Sequence, residues 1–196
     1  MDYPFFVKPI ANIPEGLVTR LADLAVQQDY TGHPHFSKSQ PVRAYIGTRD
    51  FSCPLGRLVQ AELLPLIPMD TKTVDMWEVN KLNPGDSIRE HSDIASQNGA
   101  QGSKVVKSHK IHIPLITNLQ VRFGHRRTKE LPLSNTSMPV GKAYAYNNYV
   151  WHDVHNGGLT ARYQMTIRFW DPDWADRAKL LAMFDIPTHS AYEVYE

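Results

Sequence analysis

Residues 162–170 read RYQMTIRFW, and this stretch decides the fold class. Its apolar and polar residues alternate strictly, with Tyr163, Met165, Ile167 and Phe169 on one side and Arg162, Gln164, Thr166 and Arg168 on the other. Residues 110–116, KIHIPLI, alternate in the same way. Because successive side chains of a strand point to opposite faces, each stretch is predicted to be a strand with one apolar face and one polar, basic face. Two basic faces turned into one barrel would form a site for an anion.

Further short segments rich in strand-forming residues follow one another from about residue 73 to residue 170. They are separated by clusters of Gly, Pro, Asn or Ser, and comprise VDMWEVNKL (74–82), VRFG (121–124) and KAYAYN (142–147). Short strands joined by turns indicate a sandwich or a barrel. The sequence therefore predicts a mainly β core over residues 73–170.

Helices are predicted on either side of this core. Leucines at helical spacing favour an amphipathic helix over residues 17–28 that packs on a sheet, and a second helix over residues 55–64 ended by Pro65. One short strand is predicted at residues 44–47, and one more helix over residues 174–184. We therefore predict a single α+β domain over residues 1–196, with helical support in residues 1–70.

Composition narrows the class of protein. The chain has 21 Lys+Arg and 20 Asp+Glu, so its net charge of +1 gives no electrostatic drive toward nucleic acid or anionic lipid. A single cysteine, Cys53, excludes an intrachain disulfide framework and a Cys-rich zinc site, and is expected to be a small buried side chain. No secretory signal or apolar span is visible, so we expect a cytoplasmic protein with no nucleic-acid or membrane partner. Its oligomeric state is left open.

A metal-binding pattern follows the turn in LNPGDSIREHSD (82–93). His91 and Asp93 stand two residues apart, so on an extended segment both lie on one side and can chelate one metal ion. A third ligand would come from NNYVWHDVHN (147–156), where His152 and His155 compete. Two histidines and one carboxylate form the facial triad that holds non-haem Fe(II) and leaves positions open for a cosubstrate and O₂.

Arg162 lies ten residues after His152, at the start of the last predicted strand. A cosubstrate that chelates the metal at one end could place a carboxylate on this guanidinium at the other end, held by two parallel hydrogen bonds. His155 is then expected to occupy a supporting or core position. His125, beside arginine, is expected to be exposed.

The order LNPGDSIREHSD, KIHIPL, WHDVHN and RYQMTIRFW resembles the aspartyl/asparaginyl β-hydroxylase and proline hydroxylase group of 2-oxoglutarate-dependent Fe(II) oxygenases. The resemblance covers about half of the chain. It implies a double-stranded β-helix, a cupin-like jelly roll with helices outside it. It also implies hydroxylation of an unactivated C–H bond in an amino acid, free or within a peptide, with release of succinate and CO₂.

The resemblance also implies residue roles. His91, Asp93 and His152 would be the iron ligands, and Arg162 would bind the distal carboxylate of 2-oxoglutarate. His112, Lys110 and Asn80 would lie near this cosubstrate. The KIHIPL stretch is closer to the branch that hydroxylates free proline. Residues 94–107 depart from the family pattern, because this Gly/Ser-rich stretch is longer here and is expected to form a loop of the lid type.

Two alternatives use the same pocket. One is a non-catalytic cupin-like protein that binds a small carboxylate, and an intact triad counts against it. The other is a metal-dependent cupin enzyme that needs no 2-oxoglutarate, and Arg162 at its ten-residue spacing counts against that one.

Overall fold

A computed structural model describes residues 7–30, 43–47, 50–91, 108–126, 129–146 and 150–170 of the chain. Over these residues it has two α-helices, α1 (Glu15–Val26) and α2 (Pro54–Leu58). The strands are β1 (Val7–Asn12), β2 (Arg43–Gly47), β3 (Val74–Leu82), β4 (Ser87–His91), β5 (Ser108–Ile116), β6 (Val121–Arg126), β7 (Ser134–Thr136), β8 (Lys142–Tyr146), β9 (Trp151–Asn156) and β10 (Arg162–Trp170). Asp93, the predicted loop at 94–107 and the predicted helix at 174–184 lie outside the described residues.

The strands form two antiparallel sheets. The larger has the order β1-β8-β5-β10-β3-β2 and the smaller the order β4-β9-β6-β7. From β3 to β10, consecutive strands alternate between the two sheets, except for β6 and β7, which pair within the smaller sheet. Side chains such as His112 of β5 and Phe123 of β6 meet in the space between the sheets, with ring centroids 5.9 Å apart. This arrangement is a double-stranded β-helix, the predicted fold. The space between the sheets is called the interior below.

The other face of the larger sheet carries the main apolar core. Helix α1 buries Leu17, Leu21 and Ala25, spaced four residues apart, and lies against β5 and β10. The predicted apolar faces of those strands join the same cluster, which includes Ile111, Ile113, Leu115, Tyr163, Met165, Ile167 and Phe169. Because this face is fully occupied by apolar packing, the alternate residues of β5 and β10 point into the interior.

The second helical segment differs from its prediction. After α2 the chain continues as a π-helical turn, Val59–Leu63, and a 3-10 turn, Leu64–Leu66. Pro65 therefore lies inside this final turn and does not stop the helix before it. A proline is tolerated in the first turn of a helix because the N–H that it lacks would have no partner within the helix there. Cys53 was expected to be buried, but it is only half-buried. It caps α2, because its sulfur accepts a hydrogen bond from the Gly56 backbone N–H at 3.2 Å.

Residues 1–70 are more than helical support. Strand β1 pairs with β8 and strand β2 with β3, which extends the larger sheet at both edges. The proline at position 9 and a register shift between Pro9 and Ala11 obscure the alternation of β1, as is typical of edge strands. Among the described helices, none has the length and apolar character required to cross a membrane.

Candidate metal centre and anion pocket

A bulge in β4 turns His91 into the interior. Ile88 pairs with Val154 and His91 pairs with His152, so three residues of β4 span the distance of two residues of β9. The extra residue shifts the alternation by one position, which lets both Ile88 and His91 face the same side of the sheet. Without the bulge, one of the two side chains would point outward.

The imidazoles of His91 and His152 lie side by side, with ring centroids 4.2 Å apart. In each ring Nδ1 lies 2.8 Å from the backbone carbonyl two residues earlier, Arg89 O for His91 and Val150 O for His152. A carbonyl only accepts, so Nδ1 carries a proton, and in the neutral form of each imidazole the lone pair is on Nε2. This backbone hydrogen bond is the usual way in which a metal-ligating imidazole is oriented. The pair therefore fits a divalent metal ion as two Nε2 ligands.

The described residues place no third side chain of a metal-ligand type with the His91 and His152 pair. No cluster of three or more His, Cys, Asp or Glu side chains that could hold a metal occurs in the described part of the chain. The predicted third ligand, Asp93, lies outside it, two residues beyond His91. His155 is half-buried and lies on the other face of β9, away from the His91 and His152 pair.

His125 contradicts its expected exposure. It lies on β6 directly opposite His152, with only 7% of its surface exposed, and burial lowers its pKa. The cause is the alternation of β6, in which Phe123 and His125 face inward while Arg126 faces outward and forms an ion pair with Glu90. A basic neighbour in sequence therefore says little about a strand residue, because adjacent side chains point to opposite faces.

Aromatic side chains form the wall around His152. The ring of Tyr146 lies 5.1 Å from the ring of His152 between centroids, and the ring of Phe123 lies 6.3 Å from it. Tyr146 also contacts the ring of His112 at 5.3 Å. Neither Tyr146 nor Phe123 was assigned to the site from the sequence. Their alternation with small residues in KAYAYN and VRFG marks them as inward-facing, but it does not reveal which histidine they meet.

Arg162 lies in the interior with only 3% of its surface exposed. Its guanidinium donates a hydrogen bond to Oε1 of Gln164 at 2.6 Å, and no described acidic side chain forms an ion pair with it. Burial lowers the pKa of Arg162 to about 10, so the group stays charged at neutral pH. A buried cation without an anionic partner is costly, which indicates that a bound anion completes this site.

The interior is closed at the end where Arg162 lies, called here the closed end. Asn156 is fully buried there; its side-chain amide donates to Leu82 O at 3.0 Å and to Thr160 O at 2.9 Å, and its Oδ1 accepts from Asn118 Nδ2 at 3.0 Å. Leu82 is the direct strand partner of Arg162. The side chain of Asn156 thus links by hydrogen bonds the end of β3, the turn between β5 and β6, and the turn between β9 and β10.

The opposite end of the interior, called here the histidine end, holds His91 and His152. Strand β9 runs from His152 to Asn156, and β10 returns from Arg162 toward the histidine end. The predicted site residues lie between the closed end and the histidine end.

Three further predicted residues face the interior at successive levels. Asn80 is paired with Gln164, is 8% exposed and donates to Glu78 Oε1 at 3.0 Å. His112 is paired with Thr166, and Lys110 with Arg168. Asn80 therefore lies one level from Arg162, His112 lies near the middle, and Lys110 lies at the histidine end.

The chain is similar in structure to known oxygenases. No protein-family model matches it, and no curated protein matches it in sequence. A Pseudomonas putida prolyl-4-hydroxylase superposes with a TM-score of 0.60 at 14% identity, over 85% of this chain and 93% of that one. The epimerase SnoN from nogalamycin biosynthesis, described as non-haem and α-ketoglutarate-dependent, gives 0.63 at 9% identity, over 85% and 78%. HygX from Streptomyces hygroscopicus, determined with nickel, 2-oxoglutarate and hygromycin B, gives 0.56 at 14% identity, over 85% and 82%.

Proposed function

We propose that this protein is an Fe(II)- and 2-oxoglutarate-dependent dioxygenase that hydroxylates an unactivated C–H bond of an amino acid, free or within a peptide. The observation that carries the proposal is the buried guanidinium of Arg162 in the same interior as the His91 and His152 pair. Two neutral imidazoles suit a divalent metal, and a buried cation suits the carboxylate of a cosubstrate that reaches from it. The structural likeness to enzymes of this chemistry supports the same assignment.

His91 and His152 would hold the iron through Nε2, and Asp93 would supply the carboxylate of a facial triad. Bound Fe(II) supplies the redox chemistry by which O₂ oxidises 2-oxoglutarate to succinate and CO₂ and hydroxylates the substrate. A carboxylate in the third position argues against halogenation, because a halogenating site needs that position vacant for chloride.

The cosubstrate would lie along the polar face of β10. Arg162 would bind its distal carboxylate through two parallel N–H donors, and Gln164 Oε1, 2.6 Å from the guanidinium, would hold the fork in place. Asn80 and His112 would contact the cosubstrate between Arg162 and the metal ligands. Lys110, also predicted from the sequence to bind the cosubstrate, would act near the opposite end.

The aromatic wall would keep the metal ligands fixed and limit the access of water. Tyr146 and Phe123 pack against the imidazole of His152, whose Nδ1 is tied to Val150 O at 2.8 Å. An imidazole held on its ring faces and at Nδ1 presents Nε2 in one orientation. A fixed ligand set with water excluded until the substrate binds limits reaction without substrate.

The test is an anaerobic titration of the metal-free protein with Fe(II) and then with 2-oxoglutarate. A bidentate chelate on iron is expected to give a visible charge-transfer band in the wild type and none in His91→Ala. The matched control is His155→Ala, which removes an imidazole from the outer face of β9 and is expected to keep the band. Oxygen is then admitted, and succinate is measured across a panel of amino acids and peptides.

Two results would sink the proposal. One is an absent band in the wild type, and the other is a band of equal strength in His91→Ala. Tight binding of 2-oxoglutarate without a band or succinate would favour the alternative of a non-catalytic carboxylate-binding protein.

A further inference from the structure

Gln164 is the interior residue that follows Arg162 on β10, because residues two apart on a strand share a face. It is 2% exposed, and its Oε1 accepts a hydrogen bond from Nη2 of Arg162 at 2.6 Å. Its Nε2 donates to the backbone carbonyl of Met165 at 3.2 Å. A carbonyl only accepts, so this second bond fixes which end of the amide faces the guanidinium.

The partner of Arg162 on β10 is therefore a neutral acceptor. A guanidinium only donates hydrogen bonds, and Gln164 receives one of them. This bond orients the planar group without neutralising its charge. A glutamate has nearly the same shape as a glutamine, and at this position it would accept the same hydrogen bond and cancel the charge. The side chain at position 164 thus decides whether the closed end carries a positive charge.

The described strand neighbours of Arg162 on β3 are also neutral. Leu82 is its direct partner, and Asn80, the partner of Gln164, lies on the diagonal. Residues in these positions are close enough for their side chains to interact. Neither of them supplies a negative charge, so the charge of the guanidinium is not balanced from β3.

Two acidic residues on β3 and in the turn after it have other partners. Oδ2 of Asp86 accepts a hydrogen bond from the backbone N–H of Asn83 at 2.8 Å, and Oε1 of Glu78 accepts one from Asn80 at 3.0 Å. Within the described ranges, neither carboxylate forms an ion pair with Arg162. Because a buried cation is costly without an anion, the ligand of this pocket must bring the negative charge.

We infer that Gln164 determines the charge selectivity of the closed end: as a neutral partner that orients Arg162, it makes the pocket specific for a carboxylate and excludes a neutral amide from the same position. This inference rests on the proposed function and adds a specificity-determining residue to the cosubstrate site. Gln164 acts through Arg162, so it is a positioning residue. Its neutrality matters as much as its hydrogen bond.

The test compares 2-oxoglutarate with 2-oxoglutaramate, in which an amide of nearly the same size replaces the distal carboxylate. Calorimetric titration of the full chain, loaded with Ni(II) so that no turnover occurs, measures both affinities. In the wild type, 2-oxoglutarate should bind about 100-fold more tightly, because the amide leaves the buried cation uncompensated. Gln164→Glu should weaken 2-oxoglutarate binding by a similar factor and remove the preference for it, since the introduced carboxylate pairs with the guanidinium.

Gln164→Met separates orientation from charge. It removes the hydrogen bond and leaves the charge of Arg162 in place, so 2-oxoglutarate binding should weaken about tenfold while the preference for the carboxylate persists. If Gln164→Glu does not fold, Gln164→Met still overturns the inference when it binds 2-oxoglutarate as tightly as the wild type or loses the preference. Gln120→Glu, the same replacement in the exposed turn between β5 and β6, is the matched control and should change neither affinity.

A measurement without cosubstrate separates this inference from the proposed function. In the metal-free protein, Gln164→Glu should raise the Tm, because a buried cation gains an anionic partner, whereas Gln164→Met should not. A wild type that binds neither ligand, together with this rise in Tm, would retain Gln164 as the neutral partner of Arg162 and lose the oxygenase assignment. An unchanged or lower Tm in Gln164→Glu, or an unchanged preference for 2-oxoglutarate in that variant, would overturn the inference.

Discussion

The two ends of the interior carry the same side chain in different surroundings. Arg162 and Arg168 lie on one strand and one face, yet Arg162 is 3% exposed and Arg168 is half-buried. At the closed end, turns linked by Asn156 shut out water, so the charge of Arg162 needs an anion that the described chain does not provide. At the histidine end, the charge of Arg168 is still partly solvated. Burial, and not residue type, therefore decides whether a cation requires one particular ligand.

The largest expected effect comes from removal of the buried charge. Arg162→Met should weaken 2-oxoglutarate binding about 100-fold or more, because loss of one partner from a buried, hydrogen-bonded charge pair costs about 2–5 kcal/mol. Calorimetric titration of the Ni(II)-loaded protein measures the affinity. The comparison variant, Arg168→Met, removes the same charge from the same face and should change the affinity for 2-oxoglutarate much less. Equal losses of 2-oxoglutarate affinity in the two variants would show that the closed end and the histidine end contribute alike to its binding.

A smaller effect, on the free energy of unfolding, is expected when the hydrogen bonds that close this end of the interior are removed. Asn156→Ala deletes a fully buried amide with hydrogen bonds to Leu82, Thr160 and Asn118. At about 1 kcal/mol for each net bond, the free energy of unfolding should fall by about 2–3 kcal/mol, as measured by urea denaturation.

The affinity for 2-oxoglutarate should also fall in the fraction of Asn156→Ala that remains folded, since Leu82 is the strand partner of Arg162. Asn135→Ala, on an exposed position of β7, is the control and should change neither quantity. A stable variant with normal 2-oxoglutarate affinity would show that Asn156 does not position Arg162.

The smallest expected effect is a gain in stability, whereas the changes above are losses. Without cosubstrate, Arg162→Met should stabilise the protein by about 1–2 kcal/mol, because an apolar side chain replaces a buried cation. This corresponds to a rise of about 2–8 °C in Tm. Arg168→Met should give no such rise, since the half-buried guanidinium is still partly hydrated. A lower Tm in Arg162→Met would mean that the cation is already compensated within the protein.

The pH dependence of this gain follows from the pKa of Arg162. Burial lowers it to about 10, so the unfolded state holds more protons than the native state only above about pH 10. Stability therefore rises with pH only in that range, and the cost of the buried charge is constant below it. Differential scanning calorimetry should find the same difference in Tm between wild type and Arg162→Met at every pH from 6 to 9.

Strands rich in apolar residues were predictable from the sequence, and a strand whose buried positions hold polar residues was not. The segment 74–82 was predicted with the bounds of β3, and 162–170 with those of β10. WHDVHN was not recognised as β9, because its buried positions hold His152 and Asn156 as well as Val154. Polar residues that face a functional interior weaken the apolar pattern on which such predictions depend.

The residues of the candidate site were likewise predictable only in part. The sequence singled out His91 and His152, and the structure brings their rings within 4.2 Å between centroids. It gave no sign that His125 is buried beside them, since exposure was inferred from neighbouring charges that point to the other face. The site roles of His91, Asp93, His152, Arg162, His112, Lys110 and Asn80 stay predictions.

The amino-acid sequence alone establishes which side chains share a face, because alternation is a local property of an extended chain with a period of two residues. It separated the apolar side of β10 from the side that carries Arg162 and Arg168. Which faces meet, and how deeply each residue is buried, depends on the tertiary structure. The bulge that turns His91 inward, the pairing of Lys110 with Arg168 and the closure around Asn156 all depend on contacts between segments far apart in the chain, and no local pattern encodes those distances.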